Sequence, residues 1–349
     1  MFGLCWAKST GERFLRERAA IVQGLRIKIY EDWQPELDEV LEYLPEADIL
    51  PHELFRLLMK LPNPGRKQII LVTERGEPVA LAGVRNRWGF WEPVTQWIVP
   101  GVLFPVKEGR LSRVLPALGL HLYVGWWRWP GPPPMTKWTG RVESHPAYGM
   151  SCSEDFEVHW RKSSLLKNIR TTGNRCRGFE LKVNKANSTE WIIRNWDQKW
   201  RGAQGIGQGP DVTEKLLTAE YLQKKGLYYS LLLLDRDEPV AGGTYLIHRN
   251  EVVAHCSYRN PKYDWHGGMN RLLEMQFFWA RDMGFDGIDL GGTFDYKKRW
   301  APERGQYMIF TVCPDNILVG DRVSKLIGTV RRKCSNGSSK LETTQSPAP

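Results

Sequence analysis

The sequence predicts an α/β fold of two tandem domains, each a mixed β-sheet flanked by helices, with clearer elements in the second domain than in the first. The chain has 349 residues, enough for two domains of ordinary size. Residues 68–83 and 229–243 are alike, because each is an apolar run, a charged turn and a return that opens with Glu-Pro-Val-Ala. Residues 251–290 then read as strand, loop, helix and strand, an order that makes the two strands parallel.

The first half is predicted to hold two short helices, a hairpin and two further strands. Residues 35–44 begin with a proline, which is favoured in the first turn of a helix, and residues 52–61 form the second helix. The hairpin covers residues 68–87. Further strands are expected at 93–101 and within 118–134, where a proline-rich stretch ends the strand.

The second half is predicted to hold helices, a three-stranded meander, a crossover helix and a returning strand. The expected elements are a basic helix at 159–178, a strand at 179–185, helices at 188–200 and 213–225, strands at 227–235, 239–248 and 251–258, a helix at 269–284, and strands at 286–290 and 306–312. The loop at 259–268 leads into the N-terminus of the crossover helix, where free backbone amides favour an anion.

One linker signal divides the chain. The proline- and glycine-rich stretch at 130–134 places an N-terminal domain at residues 1–145 and a C-terminal domain at 146–332. The polar residues 333–349 are expected to form a disordered tail.

Composition narrows the class of protein. The chain is 42% hydrophobic and 25% charged, has no apolar run of membrane-spanning length, and begins without the pattern of a signal peptide. Its six cysteines and seven histidines form no CxxC or HExxH pattern. We therefore expect a cytoplasmic protein with reduced thiols, no metal and no membrane insertion, whose oligomeric state the sequence does not indicate. The net charge of +10 suits either an anionic partner or a merely soluble basic surface.

Three segments carry a resemblance to a known superfamily. They are "LLLLDRDEPVAGGTYLIHRNEVVAHCSY" at 231–258, "GGMNRLLEMQFFWARDMGFDGIDLGG" at 267–292 and "DYKKRW" at 295–300. Residues 164–312 resemble the GNAT superfamily of acyltransferases, in the branch of the Fem-type (FemAB-like) aminoacyltransferases and CelD-like acetyltransferases. The first half resembles it only through the repeated hairpin. The resemblance implies two tandem GNAT-like domains, the first degenerate and the second better preserved.

The resemblance implies transfer of an acyl group to an amine. The leading expectation is an N-acyltransferase that uses acyl-CoA, such as acetyl-CoA, and acts on an amino sugar or a small amine. One alternative is a Fem-like enzyme that takes the aminoacyl group from charged tRNA. The other is a catalytically degenerate pair of domains that only binds RNA or a glycan.

The donor site is expected at residues 265–271. Members that use acetyl-CoA carry Q/R-x-x-G-x-G/A before the crossover helix, whereas "RNPKYDWHGG" at 259–268 offers only two glycines. The glycine-rich "QGIGQG" at 204–209 follows a helix, so it is interpreted as a mobile loop. The predicted donor-binding residues are Gly267, Gly268, Asn270 and Arg271 at the helix start, with His255 and Tyr258 on the preceding strand.

The catalytic residues are expected after the returning strand. Tyr296 and Lys297 resemble the Fem-type Tyr-Lys or Phe-Lys pair and are candidate catalytic residues. The resemblance implies that Lys297 points into the site and meets a developing negative charge or a phosphate. Asp289 and Asp295 are candidates for a base or an anchor of the acceptor amine. The alternatives are that Asp289 caps the turn at Gly291 and that Lys297 belongs to a solvated basic run.

Overall fold

The protein is described by a computed structural model over residues 24–47, 50–61, 67–87, 90–94, 104–118, 127–128, 139–163, 165–203, 211–292 and 296–312. The first described part folds around a four-stranded antiparallel sheet in the order β1-β2-β3-β4. Its elements are β1 (Arg26–Tyr30), α1 (Glu36–Tyr43), α2 (His52–Lys60), β2 (Lys67–Glu74), β3 (Glu77–Arg87), β4 (Phe90–Pro93) and α3 (Leu111–Leu118).

The second sheet has eight strands in the order β5-β12-β6-β11-β10-β9-β8-β7. Its strands and the helices that connect them are β5 (Trp127–Arg128), β6 (Thr139–Ser151), α4 (Phe156–Lys162), α5 (Leu165–Arg175), β7 (Glu180–Val183), α6 (Ser188–Ala203), α7 (Asp211–Lys224), β8 (Tyr228–Asp235), β9 (Glu238–His248), β10 (Glu251–Arg259), a 3₁₀ helix (Pro261–His266), α8 (Gly268–Asp282), β11 (Gly287–Gly292), α9 (Lys297–Trp300) and β12 (Glu303–Val312). The β10–β11 pair is parallel, as the crossover through α8 requires.

The two hairpins that resemble each other in sequence have the same construction. Both turns, at 75–76 and 236–237, place two residues at positive φ, the conformation of a two-residue type I′ turn. In both hairpins the pairing register shifts next to the proline of Glu-Pro-Val-Ala, at Pro78 and at Pro239. The likeness therefore extends from the sequence to the backbone.

Helices cover both faces of the eight-stranded sheet. On one face α6 and α7 pack through side chains such as Ile192 and Leu222 onto alternate residues of β8 and β9. The opposite face is covered by α4, α5 and α8, with Trp160 and Phe277 among its largest buried side chains. The core on the α6–α7 face continues into the first sheet, since residues such as Phe55 of α2 belong to the same cluster.

Most predicted elements are present, with the following differences. The basic helix expected at 159–178 is two helices, because α4 ends at Ser163, whose hydroxyl donates to the carbonyl of Trp160 at 3.2 Å. Strands β1, β4 and β6 were not predicted, and neither was helix α3. Strand β6 lies between β11 and β12 and runs through the division proposed at 145/146, which stays a prediction.

Several expectations concern residues outside the described ranges. Most of the strand candidate at 93–101 and of the candidate within 118–134 lies there, as do the loop at 204–209 and the tail at 333–349. Among the helices of the described residues, none has the length and apolar character needed to cross a membrane.

Candidate active site

The second sheet splits between its two parallel strands. Strands β10 and β11 pair only from Glu251 to Val253 and from Gly287 to Asp289 within the described residues. Beyond that point β10 stays with β9 as far as Arg259, and β11 stays with β6. A cleft between the carboxyl ends of parallel strands is the usual ligand site of open α/β sheets.

A β-bulge in β10 turns the strand at the start of the split. The register with β9 shifts between Ala254 and Ser257. The bulged amide of Cys256 donates to the hydroxyl of the buried Thr244 at 3.1 Å, which compensates for a lost ladder bond. The sequence did not single out Thr244 or the bulge.

His255 and Tyr258, both expected at the donor site, lie on either side of this bulged amide. His255 Nδ1 is 3.2 Å from the hydroxyl of Tyr228. The ring of Tyr258 packs edge-on against Trp191 of α6, with 5.2 Å between ring centroids. These contacts fix both side chains in the packing of the sheet, and their role in donor binding stays a prediction.

The loop between β10 and α8 is a short 3₁₀ helix that ends in two glycines. Asn260 caps it by accepting the N–H of Lys262 at 3.1 Å. Gly267 has φ +74°, a left-handed conformation that lets the chain leave the 3₁₀ helix and start α8. A Cβ at Gly268 would lie 2.4 Å from Cγ1 of Val240, so only glycine fits the close approach of α8 to β9.

A small cleft of about 120 Å³ lies at this helix start. Its lining includes the predicted Gly267, Gly268 and Asn270, together with three polar residues that the sequence did not single out, Arg259, Asn260 and Asp264. The Asn-Pro pair at 260–261 was the available signal, since Asn before Pro commonly opens a turn.

The charges around this cleft are mixed. Arg259 Nη1 lies 3.3 Å from Oδ1 of Asp264, so the cleft presents one cation and one carboxylate. The expected phosphate ligand Arg271 instead pairs with Glu274 on its own helix at 2.6 Å. Within the described structure Arg259 is thus a better candidate than Arg271 for meeting an anion in the cleft.

Asp289 caps the turn that ends β11. Its side chain is 3% exposed, and its Oδ1 accepts the N–H of Gly291 at 2.8 Å. Gly291 has φ +74°, which a residue with a side chain rarely adopts. The turn-capping alternative for Asp289 is therefore seen in the structure, and a further role toward substrate stays a prediction.

Lys297 lies against this turn. Its Nζ would be 3.3 Å from a Cβ placed on Gly291. Burial lowers the pKa of Lys297 to about 8, and the nearby carboxylate of Asp289 acts in the opposite direction. Lys298 and Arg299 are exposed, so one of the three consecutive cations turns inward.

The other two predicted catalytic residues of this segment are Tyr296 and Asp295. Partial burial raises the pKa of Tyr296, and Asp295 lies outside the described residues.

Trp300 fixes the short helix that carries Lys297. Its buried ring is stacked at 6.2 Å on Phe277 and meets Trp160 edge-on at 5.6 Å. Trp160 Nε1 donates to the backbone carbonyl of Trp300 at 3.0 Å. The hydroxyl of Ser163 donates to the backbone carbonyl of Arg299 at 2.9 Å. The packing of these aromatic rings thus fixes the short helix from which Lys297 projects.

Comparison with known proteins identifies the fold. No protein-family model matches the sequence, and no curated protein matches it. The structure is similar to that of L-PGS from Bacillus licheniformis, with a TM-score of 0.52 and 15% identity over 86% of this chain and 99% of that one. FemX has a TM-score of 0.43 and 12% identity over 83% and 98% of the two chains. A tandem GNAT protein from the clavulanic acid biosynthesis pathway has a TM-score of 0.46 and 9% identity over 83% of this chain and 99% of that one.

At these identities the similarity concerns the fold. The protein has an α/β fold like that of L-PGS from Bacillus licheniformis. The predicted α/β class is confirmed, and the predicted resemblance is supported at the level of the fold. In the described residues the first sheet is wholly antiparallel and not mixed as predicted, whereas the second sheet is mixed.

Proposed function

We propose that this protein is an N-acyltransferase that moves an acyl group from acyl-CoA, such as acetyl-CoA, to an amine of a small molecule or an amino sugar. One observation carries the proposal. The start of α8 and the half-buried Lys297 both follow the carboxyl ends of the diverging parallel strands β10 and β11. A donor-binding helix terminus and a cation for the reacting carbonyl thus open onto the same edge of the sheet.

The reaction needs a polarised carbonyl and a deprotonated amine. As the amine nitrogen attacks, the new C–N bond forms, the carbonyl oxygen gains negative charge, and the C–S bond then breaks to release the thiol. In this proposal, protonated Lys297 stabilises that charge. The attacking amine loses one proton, for which Asp289 and Asp295 are the candidate acceptors, and the leaving sulfur takes one up. Tyr296 is unsuited to accept that proton, because burial raises the pKa of its phenol.

The residues at the start of α8 fit a diphosphate-bearing donor. Gly267 and Gly268 line the cleft at the first turn of α8, where the N-terminus of a helix favours an anion, and Arg259 adds a cation. CoA would supply the thioester that makes the acyl group reactive. Tyr263 is unsuited to protonating the leaving sulfur, since it donates to Glu238 at 2.9 Å, and burial together with that carboxylate raises its pKa to about 12.

A second candidate is transfer of an aminoacyl group from charged tRNA. It is favoured by the carboxylate of Asp264, which lines the cleft and opposes a diphosphate there, and by the net charge of +10, which suits a polyanionic donor. In this version Lys297 has the same role toward the ester carbonyl.

The two candidates differ in their need for RNA. We expect mass spectrometry to detect acylated product when the protein is incubated with acetyl-CoA and a panel of amino sugars and small amines. Product that requires charged tRNA, and that falls steeply as salt is raised, would instead establish the second candidate. RNA or glycan binding without product from either donor would contradict both and support a binding role.

A further inference from the structure

One aromatic side chain beside the cleft is both exposed and fixed. Trp265 is 68% exposed, the highest value among the large hydrophobic side chains that are exposed in the described structure. The guanidinium of Arg175 lies 4.4 Å from the centroid of its ring, and Arg175 Nη1 donates to the carbonyl of Trp265 at 3.0 Å. His266 meets the ring edge-on at 5.3 Å.

Three contacts fix the segment that carries Trp265. Tyr263 is buried and donates to Glu238, Asn260 Nδ2 donates to the carbonyl of Pro239 at 3.0 Å, and the thiol of Cys176 lies 3.4 Å from the carbonyl of His266. A side chain held in this way loses little conformational freedom when a ligand binds. An exposed tryptophan on a rigid support is suited to stacking, because every nucleobase has an aromatic face.

The position of Trp265 connects it to the proposed donor site. The cleft at the start of α8 is lined by Asp264 and Gly267, which precede and follow Trp265 and His266 in the chain. The guanidinium of Arg175 adds a cation at the ring, favourable both for a stacked base and for a neighbouring phosphate.

We propose that Trp265, backed by Arg175, is the stacking platform for the adenine base of the acyl donor. The inference rests on the proposed function and adds the recognition of adenosine to it. Adenosine is the nucleoside that CoA and the 3′ end of aminoacyl-tRNA share. The platform therefore recognises the chemical group common to both candidate donors, while the start of α8 and Arg259 meet the phosphates.

The test compares donors with and without the base. Calorimetry measures the dissociation constants of acetyl-CoA and of S-acetyl-4′-phosphopantetheine, which lacks the adenosine. A second arm compares a short RNA hairpin ending in CCA with one ending in CC. One of the two arms contains the donor that the protein uses. In that arm we expect Trp265→Ala to weaken binding of the adenosine-containing ligand by about 5- to 100-fold. The dissociation constant of the ligand without the adenosine should change by less than about twofold. Trp265→Phe should restore most of the loss.

A matched control exists elsewhere in the chain. Tyr43 is 52% exposed and has Lys107 Nζ 4.3 Å from its ring centroid, but it belongs to α1, beside the first sheet. Tyr43→Ala should change neither ligand's affinity. Equal weakening of the long and short ligands by Trp265→Ala, or no adenosine-dependent binding in either arm, would overturn the inference. Adenosine-dependent binding without acyl transfer from either donor would leave the platform standing and contradict the proposed function.

Discussion

Replacing Lys297 by alanine is expected to lower kcat/KM for acyl transfer by about 10²- to 10³-fold, the effect typical of removing one group that stabilises an oxyanion. The reason is its position, since Nζ lies against the turn at Gly291 where the split opens. Steady-state kinetics with the donor and acceptor found in the amine screen measure the effect. Lys298→Ala is the control, because that neighbouring cation is exposed, and it should change kcat/KM by less than about twofold. Similar losses in both variants would contradict the assignment.

The same residue predicts a pH dependence. Burial lowers the pKa of Lys297 to about 8, so the ammonium that stabilises the carbonyl oxygen is lost as the pH rises through that value. Activity should therefore fall above about pH 8. Lys297→Arg keeps its charge at all these pH values, so whatever activity it retains should lack this descending limb. An unchanged limb in that variant would show that another group titrates.

Replacing Glu214 by alanine is expected to lower the free energy of unfolding by about 3–5 kcal/mol, because it leaves the charge of Arg85 buried without this partner. Arg85 on β3 and Glu214 at the start of α7 form an ion pair of 2.7 Å between side chains that are each 4% exposed. The pair joins the first sheet to a helix of the second. Chemical denaturation with a spectroscopic probe measures the loss.

Two further variants make this prediction specific. Glu220→Ala removes an exposed ion pair with Lys224 from the same helix and should change stability little. The double variant Arg85→Met and Glu214→Leu should recover most of the loss, since apolar residues of similar volume can replace a buried pair. A loss of under about 1 kcal/mol in Glu214→Ala, or no recovery in the double variant, would show that the pair does not hold the two parts together.

The sequence predicted most accurately the features that depend on residues close together in the chain. The two hairpins follow from turn chemistry within a few residues, and the crossover helix α8 follows from its spacing and its glycines. The inward position of Lys297 also has a local cause. Trp300 lies three residues further along, and its burial orients the short helix between them.

The remaining features depend on contacts between distant residues. The ion pair of Arg85 and Glu214 joins residues 129 positions apart, and β6 enters the second sheet between two strands that follow it in the chain by more than 130 residues. The bulge in β10 depends on the partner strand that supplies Thr244. No single segment encodes such pairings, so periodicity could not reveal the bulge, the ion pair, the place of β6 or the full extent of the second sheet.

The central claim is that the donor binds at the start of α8, and calorimetric titration with acetyl-CoA tests it most directly. Gly267→Asp adds a negative charge at the start of α8, in a left-handed conformation that Asp tolerates better than most residues, with its Cβ 3.1 Å from Oγ1 of Thr172. Gly284→Asp, just past the other end of the same helix, controls for the added charge and the left-handed backbone, with φ +78° and no atom within 4 Å of an added Cβ. We predict micromolar binding to the wild type and to Gly284→Asp, and binding at least about tenfold weaker to Gly267→Asp. Absence of binding to the wild type, or equal loss in the two variants, would contradict the claim.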